Sequence, residues 1–238
     1  IDEVVKMARK LGISSDLPEN PTLALGSGSV SLLELTTAYA AFANGGYRVK
    51  PYRIEEIRNA AGEVIYKHQP EERERAMQEK TAALMTAMLQ GVVKDGTAQS
   101  LRSRYGLRNQ LAGKTGTSQN YTDGWFVGFN PHLAMGVWVG GSSPAVHFNS
   151  GTYGSGSAMA LPVFGKTWQQ INRNEELRKI SSASFKELKP EWREMLDCED
   201  QRDENLIDRV KDLFDKEEGK KYREKDKPNF FERLFKKD

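Results

Sequence analysis

The stretch that decides the fold is residues 110–141, which read QLAGKTGTSQNYTDGWFVGFNPHLAMGVWVGG. It contains three short strand-forming runs, at 110–117, 124–130 and 133–141, separated by two turn-like segments. Because connections this short join antiparallel rather than parallel neighbours, the runs predict an antiparallel meander. The second and third runs are apolar on both faces, so we expect them to lie inside a sheet that helices cover on both sides.

Helical patterns flank this meander. Apolar residues recur at helical spacing in four segments, at 2–11, 29–43, 78–93 and 158–172. In the second segment, Ser31 and Glu34 have the spacing of a capping box. The apolar stripe of the third segment is expected in the core, at Leu84, Met85, Met88, Leu89 and Val92. Residues 47–58 and 63–68 alternate in polarity and predict a β-hairpin. The sequence therefore predicts an α+β fold, in which an antiparallel sheet is covered by helices on both faces.

The composition changes near residue 172. More than half of the 68 charged residues lie in residues 173–238, whereas all but one of the 21 glycines precede that segment. This division predicts a globular body at 1–172 and a charged, partly helical or disordered extension at 173–238. A cut after about residue 178 is expected to leave the body folded.

The extension contains two short amphipathic segments, at 205–215 and 229–237. Segments of this kind dock partner proteins or touch membrane surfaces. Their mixed charges and few apolar residues favour a solvated, partly helical extension instead.

The overall composition excludes several classes of protein. A formal net charge of +2 argues against a general nucleic-acid-binding protein. The single cysteine, Cys198, excludes an internal disulfide framework, and the three histidines (His68, His132 and His147) are too far apart to predict a metal site. We therefore expect no metal and no cofactor. The chain begins with Ile1 and shows no signal peptide, which predicts a piece of a longer protein with any targeting segment upstream.

The tetrapeptide Lys114-Thr115-Gly116-Thr117 carries the most specific chemistry. Side chains alternate along a strand, so Thr115 and Thr117 share one face while Lys114 projects from the other. Two hydroxyls at this spacing suit a carboxylate that lies along the strand. Gly116 leaves the backbone open to a ligand, and the N–H of Thr117 is placed to face an oxyanion. Such an edge would bind an extended acyl-peptide by strand addition. The alternative is an edge strand that binds nothing.

Residues 114–117, followed by Asp-Gly-Trp-Phe-Val-Gly-Phe-Asn-Pro at 123–131, resemble the penicillin-binding proteins, whose Lys-Thr-Gly accompanies Ser-x-x-Lys and Ser-x-Asn motifs. Three further stretches resemble that family, at 26–46, 92–98 and 137–140. The resemblance covers about residues 1–172 and is strongest to the bifunctional, glycosyltransferase-linked class A members. It implies the C-terminal half of a transpeptidase domain.

The sequence departs from this family in one respect. None of its serines is followed three places later by lysine, and the single Ser-x-Asn match, at 118–120, comes directly after Lys-Thr-Gly-Thr. We interpret Ser118 as a turn residue, with a contact to the rim of a bound ligand as the alternative. Asp123 is interpreted as pinning the turn rather than as a general base. The resemblance implies that both missing motifs lie upstream of Ile1.

The resemblance also implies a reaction. An upstream serine would be acylated by the D-Ala-D-Ala end of a peptidoglycan stem peptide, and the acyl group would pass to an amine of a neighbouring strand. Lys114 and Thr117 would act in catalysis, through the lysine charge and half of the oxyanion hole. The substrate-binding residues would be Thr115, Gly116, Thr117 and Ser118.

The implied partners are stem peptides, β-lactam antibiotics, the upstream part of the same polypeptide and, through the extension, cell-wall synthesis proteins. No nucleic acid is expected. The implied location is the cell envelope, at the extracytoplasmic face of the inner membrane, with the anchor outside this chain. Two alternatives remain: a non-catalytic penicillin-recognition or scaffold module, and a D,D-carboxypeptidase or β-lactamase-like hydrolase that uses water as the acceptor.

Overall fold

The computed structural model describes residues 1–70 and 72–196, which form strands and helices in an α+β arrangement. The strands are β1 (Glu56–Arg58), β2 (Val64–Lys67), β3 (Ala112–Thr117), β4 (Asp123–Phe129) and β5 (Ala134–Gly140). The α-helices are α1 (Asp2–Lys10), α2 (Leu32–Ala43), α3 (Glu79–Lys94), α4 (Ser100–Ser103), α5 (Gly151–Gly154), α6 (Gly156–Arg173), α7 (Glu175–Ser181) and α8 (Pro190–Arg193). Short 3₁₀ turns lie at Pro21–Leu25, Gln119–Tyr121 and Glu194–Leu196.

The chain divides into two compact units, Ile1–Arg193 and Glu194–Asp238. All the strands and α-helices above belong to the first unit, and the second is described over Glu194–Leu196 alone. Within the described residues, no helix has the length and apolar character needed to cross a membrane.

The predicted meander is the central sheet of the first unit. Strand β4 lies in the middle, and β3 and β5 pair with it in antiparallel fashion. Phe126 of β4 stands opposite Thr115 on one side and Val137 on the other, which defines the register. The antiparallel prediction is therefore confirmed. The expectation that both apolar strands lie inside the sheet holds for β4, whereas β5 pairs with β4 alone within the described residues.

Helices cover both faces of this sheet, as the apolar strands predict. On one face, α6 packs against β4, where the Phe126 ring lies 4.7 Å from the Phe164 ring in an edge-to-face contact. On the other face, α2 and α3 pack against the sheet, and Phe129 contacts Tyr39 of α2 and Leu89 of α3. Phe126, Phe129 and Phe164 are fully buried. The sheet and its two helical layers thus form the core that holds β3 in place.

Helix α2 begins with the predicted capping box. The Glu34 N–H donates to the Ser31 hydroxyl (3.2 Å), and the Ser31 N–H donates to the Glu34 carboxylate (3.0 Å). The same carboxylate accepts the hydroxyls of Ser14 and Ser15, each at 2.6 Å, and so connects α2 to the segment after α1. These hydroxyls, followed by the backbone of Ser31, hold the pKa of Glu34 well below its usual range.

Helix α3 buries Leu89 as the stripe predicted, and Leu84, Met85 and Val92 of the stripe are half-buried. Its buried residues are Ala82, Thr86, Leu89 and Val93. Met88, which the apolar stripe predicted as core, is 50% exposed, so that part of the prediction is wrong. The Thr86 hydroxyl donates to the Phe42 carbonyl of α2 at 3.4 Å. The small residues at 82 and 86 are buried while the larger Met88 is exposed, so the position of a residue around the helix rather than its size decides which side chains are buried.

The predicted hairpin forms, but its strands are shorter than expected. Strands β1 and β2 pair around residues 59–62, and residues 47–55 contribute to pairing through one bridge, between Tyr47 and Arg75. Both strands are largely exposed. A two-stranded ribbon without a packed face gains little from lengthening, which accounts for the difference.

Helix α7 lies against the body. The Asn109 side-chain amide donates to the Ser181 carbonyl (2.8 Å), and the Asn130 amide donates to the Ile180 carbonyl (2.8 Å). Ser181 is fully buried, and the Phe185 ring lies 5.8 Å from that of Phe129. A division of the chain at residue 172 stays a prediction. Cys198 and the amphipathic segments 205–215 and 229–237 lie outside the described residues.

We predict that Glu34→Gln lowers the stability of the chain at pH 7 and weakens its dependence on acid pH. The pKa of Glu34 is lower in the folded than in the unfolded chain, so the carboxylate stabilises the fold above the unfolded value of about 4.3. This stabilisation is lost as the pH falls from there toward the folded pKa. Urea unfolding between pH 7 and pH 3 measures the effect. Glu19→Gln is the control, and parallel pH profiles for wild type and Glu34→Gln would contradict the prediction.

A second prediction concerns the limit of the folded body. A chain that ends after Arg193 should unfold like the full chain, whereas one that ends after Arg178 should lose about 1–3 kcal/mol, because the buried Asn130 amide is left without either of its carbonyl acceptors. The Asn109 amide loses the Ser181 carbonyl but keeps its hydrogen bond to Asn172 Oδ1. Denaturant unfolding of the two truncated chains measures this difference. Equal stability would show that α7 is dispensable and would support the limit near residue 172.

Candidate active site

The tetrapeptide at 114–117 forms an edge strand. Within the described residues, β3 pairs with β4 and leaves its other edge open. The Ser118 N–H points toward β4, where it donates to the Asp123 carbonyl at 3.2 Å. Because backbone groups of successive strand residues point to opposite edges, the N–H of Thr117 points away from β4. The open edge of β3 therefore presents the N–H and C=O groups of Thr115 and Thr117.

The side chains of β3 alternate between the two faces of the sheet as the sequence predicts. Thr115 stands opposite Phe126, whose ring packs on α6, so Thr115 and Thr117 lie on the α6 face. Lys114 stands opposite Val127, on the face that α2 and α3 cover. Its Nζ reaches round the edge and donates to the Thr115 carbonyl at 2.9 Å. The two hydroxyls and the lysine charge therefore meet at one edge although they start from opposite faces.

The hydroxyl of Thr117 is held by the first residue of α6. The Gly156 N–H donates to Thr117 Oγ1 at 3.0 Å. Gly156 lies so close to the sheet that a Cβ there would stand 2.2 Å from the Gly116 carbonyl oxygen and 2.5 Å from that of Trp125. Glycine is therefore required at 156 for this hydrogen bond to form at the observed distance.

The hydroxyl of Thr115 is held by a turn between α3 and α4. Thr115 Oγ1 lies 2.8 Å from Thr97 Oγ1, and either hydroxyl is able to donate. The turn is anchored at the residue after Thr97: the Ala98 N–H donates to the Val92 carbonyl (3.1 Å), and Ala98 is fully buried. Thr97 itself is exposed, and Thr115 is half-buried. A fixed backbone thus carries an exposed hydroxyl to the edge of β3.

The hydroxyl of Ser118 is engaged within the loop that follows β3. It accepts the Asp123 N–H at 2.9 Å and lies 2.7 Å from Thr122 Oγ1. The Asp123 carboxylate accepts the indole N–H of Trp125 at 3.0 Å. No cluster of histidine, cysteine, aspartate or glutamate within residues 1–70 and 72–196 has the form of a metal site.

This loop also contains backbone strain that the sequence did not predict. Asn120 and Tyr121 adopt positive φ angles of 56° and 57°. A bulky side chain seldom adopts this conformation, and two in succession need support from their surroundings. The Tyr121 side chain packs against α5, the segment before α6. The packing is so close that a Cβ added at Gly151 would lie 3.2 Å from a Tyr121 atom, and one added at Gly154 would lie 2.5 Å away. The loop after β3 is therefore tied to the same region that holds Thr117.

Comparison with known proteins identifies the family of this chain. The family model "Penicillin binding protein transpeptidase domain" matches residues 13–166, which include β3 and the start of α6. The chain belongs to the penicillin-binding protein transpeptidase family. The chain is 38% identical over 161 residues to penicillin-binding protein 1A of Neisseria lactamica, a match that covers 66% of this chain and 20% of the relative. It is 39% identical over 161 residues to penicillin-binding protein 1A of Aquifex aeolicus, with 68% and 21% covered. The predicted resemblance to class A penicillin-binding proteins is confirmed.

Solved structures show the same fold. Penicillin-binding protein 1A of Haemophilus influenzae superposes with a TM-score of 0.67 at 20% identity, over 79% of this chain and 32% of that protein. PonA1 of Mycobacterium tuberculosis in complex with penicillin V gives a TM-score of 0.62 at 22% identity, over 79% and 52%. The α+β prediction is thereby confirmed. The chain spans about a fifth of the length of the curated relatives it matches.

Two residues that contact the candidate site were not predicted from the sequence. Thr97 and Gly156 each hold one hydroxyl of β3. Thr97 lies within residues 92–98, a stretch that resembles the family without implying a role for its threonine. Gly156 lies in the glycine-rich run 153–157, which resembles a phosphate-binding loop only weakly because it lacks the Gly-Lys-Ser/Thr ending of such loops. For both residues the sequence offered only a short local pattern. Their roles depend on hydrogen bonds to residues 18 and 39 positions away in the sequence, which a local pattern does not reveal.

Proposed function

We propose that this chain supplies the substrate-anchoring strand of a peptidoglycan D,D-transpeptidase, which cross-links stem peptides through an acyl-serine intermediate and is acylated by β-lactams. The observation that carries the proposal is the open edge of β3, where two threonine hydroxyls, a lysine and outward-pointing backbone groups converge. An extended peptide that ends in a carboxylate matches this edge by strand addition. The penicillin V complex of PonA1, which shares the fold, supports β-lactams as ligands.

The nucleophile of this reaction lies outside the sequence, because none of its serines is followed three places later by lysine. That serine would form an ester with the carbonyl of the penultimate D-Ala, and the terminal D-Ala would leave as the free amino acid once its nitrogen is protonated. An amine of a neighbouring stem peptide would then attack the ester, form the cross-link and release the serine. A β-lactam would follow the first half of this route, with its ring amide as the bond that breaks.

Each residue of β3 has a separate role in this proposal. The Thr117 N–H, which points to the open edge, would donate to the oxyanion that forms during each attack. The Thr115 and Thr117 hydroxyls would bind the terminal carboxylate of the substrate. Gly116 would let the ligand approach the strand, and Ser118 would hold the loop beside it.

Lys114 would stabilise negative charge at the reacting centre and help to move the proton. The Nζ position at the edge, 2.9 Å from the Thr115 carbonyl, supports this role because the side chain has already left its own face of the sheet. With this function the protein would work in the cell envelope, at the extracytoplasmic face of the membrane where peptidoglycan is cross-linked.

We predict that this chain alone forms no covalent adduct with a labelled penicillin, because it has no serine in a Ser-x-x-Lys motif. Intact-mass spectrometry after incubation with the penicillin measures this. The full-length protein under the same conditions is the positive control. One-to-one acylation of Ser118, or of any other serine of this chain, would contradict the assignment of the nucleophile.

A further prediction separates the two faces of β3 in the full-length protein. Thr115→Val removes one hydrogen bond to a charged group, so acylation by a penicillin with a free carboxylate should slow by roughly ten- to a hundredfold. The methyl ester of the same penicillin should be little affected. Lys114→Ala should slow acylation by both compounds by about 10²–10³, because the lysine charge acts at the reacting centre.

Second-order acylation rates of the two variants with both compounds are the measurement. Thr167→Val is the matched control, since the Thr167 hydroxyl donates to the Val163 carbonyl within α6, away from β3. Equal losses for both compounds in Thr115→Val would contradict carboxylate binding by this hydroxyl. Near-normal rates in Lys114→Ala would contradict the role of the lysine.

A further inference from the structure

The two hydroxyls of β3 differ from ordinary exposed hydroxyls because each has one partner that limits where its proton points. A hydroxyl carries one proton and two acceptor sites, and its proton rotates to suit its surroundings. Thr117 Oγ1 accepts the Gly156 N–H, and a backbone N–H is unable to accept in return. The Thr117 proton is therefore not used in this contact, and within residues 1–70 and 72–196 the structure shows no acceptor for it. It remains available for donation to a ligand.

The position of Gly156 adds to this effect. Gly156 is the first residue of α6, an 18-residue helix whose first-turn N–H groups have no partner within the helix. Thr117 Oγ1 satisfies one of them. A hydroxyl oxygen that accepts a hydrogen bond becomes a stronger donor through its own proton, and the positive end of the helix increases this polarisation. The contact thus fixes the Thr117 hydroxyl as a donor.

Thr115 is arranged in a similar way. Its hydroxyl lies 2.8 Å from that of Thr97, so one of the two must donate to the other. When an anion lies at the edge of β3, the arrangement that satisfies all groups is a chain in which Thr97 donates to Thr115 and Thr115 donates to the anion. The turn that carries Thr97 is anchored through the buried Ala98, so the Thr97 hydroxyl stays at the edge without a ligand.

We propose that Thr97 and Gly156 are positioning residues, which orient the hydroxyls of Thr115 and Thr117 so that both protons are directed at a carboxylate bound along the open edge of β3. This inference rests on the proposed function and extends it to two elements outside the strand: the α3–α4 turn and the start of α6. Each residue acts through the hydroxyl that it holds.

The experiment uses the full-length protein and the same penicillin and methyl ester. Thr97→Val, which keeps the shape of the side chain, should slow acylation by the free acid by about three- to tenfold, as expected for one neutral hydrogen bond, and change the ester rate less than twofold. Thr97→Ser should restore the rate. In a Thr115→Val background, Thr97→Val should have no further effect, because its partner is already absent.

Gly156→Ala tests the second positioning residue. The added Cβ meets two carbonyl oxygens of the sheet and must displace the start of α6, which should produce the same selective loss for the free acid. Gly91→Ala is the control, since a Cβ at this exposed position of α3 meets no atom within 4 Å. Should Gly156→Ala fail to fold, the Thr97 series decides the question.

The outcomes separate the two proposals. Equal slowing of acid and ester in Thr97→Val, failure of Thr97→Ser to restore the rate, or additive losses in the double variant would overturn the positioning role while carboxylate binding by Thr115 stands. An unchanged ratio of acid to ester rates in Thr115→Val alone would overturn carboxylate binding by Thr115, and this inference with it. A selective, serine-rescued and non-additive loss supports the positioning role, because a general loss of stability would not distinguish the two compounds.

Discussion

The contact on which the candidate site depends is the meeting of α6 with the backbone of β3 and β4. Two glycines face each other there: a Cβ at Gly124 would lie 3.0 Å from the Gly156 Cα, and a Cβ at Gly156 would overlap the Gly116 carbonyl. Because the helix starts in direct backbone contact with the sheet, its first N–H reaches Thr117. The same helix, two turns later, places Phe164 on Phe126 and completes the core. One contact therefore connects the packing of the domain with the orientation of a site hydroxyl.

Much of the fold was predictable because it follows from short-range patterns. The meander 110–141 has connections too short for any other pairing, and its strands begin and end within a few residues of the predicted limits. The capping box of Ser31 and Glu34 depends on two residues three apart. In both cases the decisive interactions lie between residues that are close in sequence, so a local pattern contains enough information.

The parts that were not predictable depend on which elements meet. The exposure of Met88 and the burial of Ala82 and Thr86 depend on which side of α3 meets the rest of the fold, and hydrophobicity alone does not reveal this. The additional hydrogen bonds from Ser14 and Ser15 to Glu34 cross about 20 residues of sequence. The partners of Thr115 and Thr117 come from separate elements in the same way. A motif thus identifies the residues of a site, whereas the surrounding fold determines how their protons and charges are directed.

The open edge of β3 also explains why the lysine and the threonines occur together on one strand. An unpaired edge exposes backbone groups that favour association with other chains, and charged side chains commonly protect such edges. Lys114 protects this one, because its Nζ occupies the Thr115 carbonyl. An extended ligand that paired with this carbonyl would compete with the lysine and leave the ammonium group beside the newly bound strand. Side-chain alternation keeps the hydroxyls on the α6 face, so the lysine charge and the hydroxyls would approach the same ligand from opposite faces of the sheet. With the proposed function, the sequence Lys-Thr-Gly-Thr on one strand would combine protection of the free edge with recognition of a negatively charged peptide end.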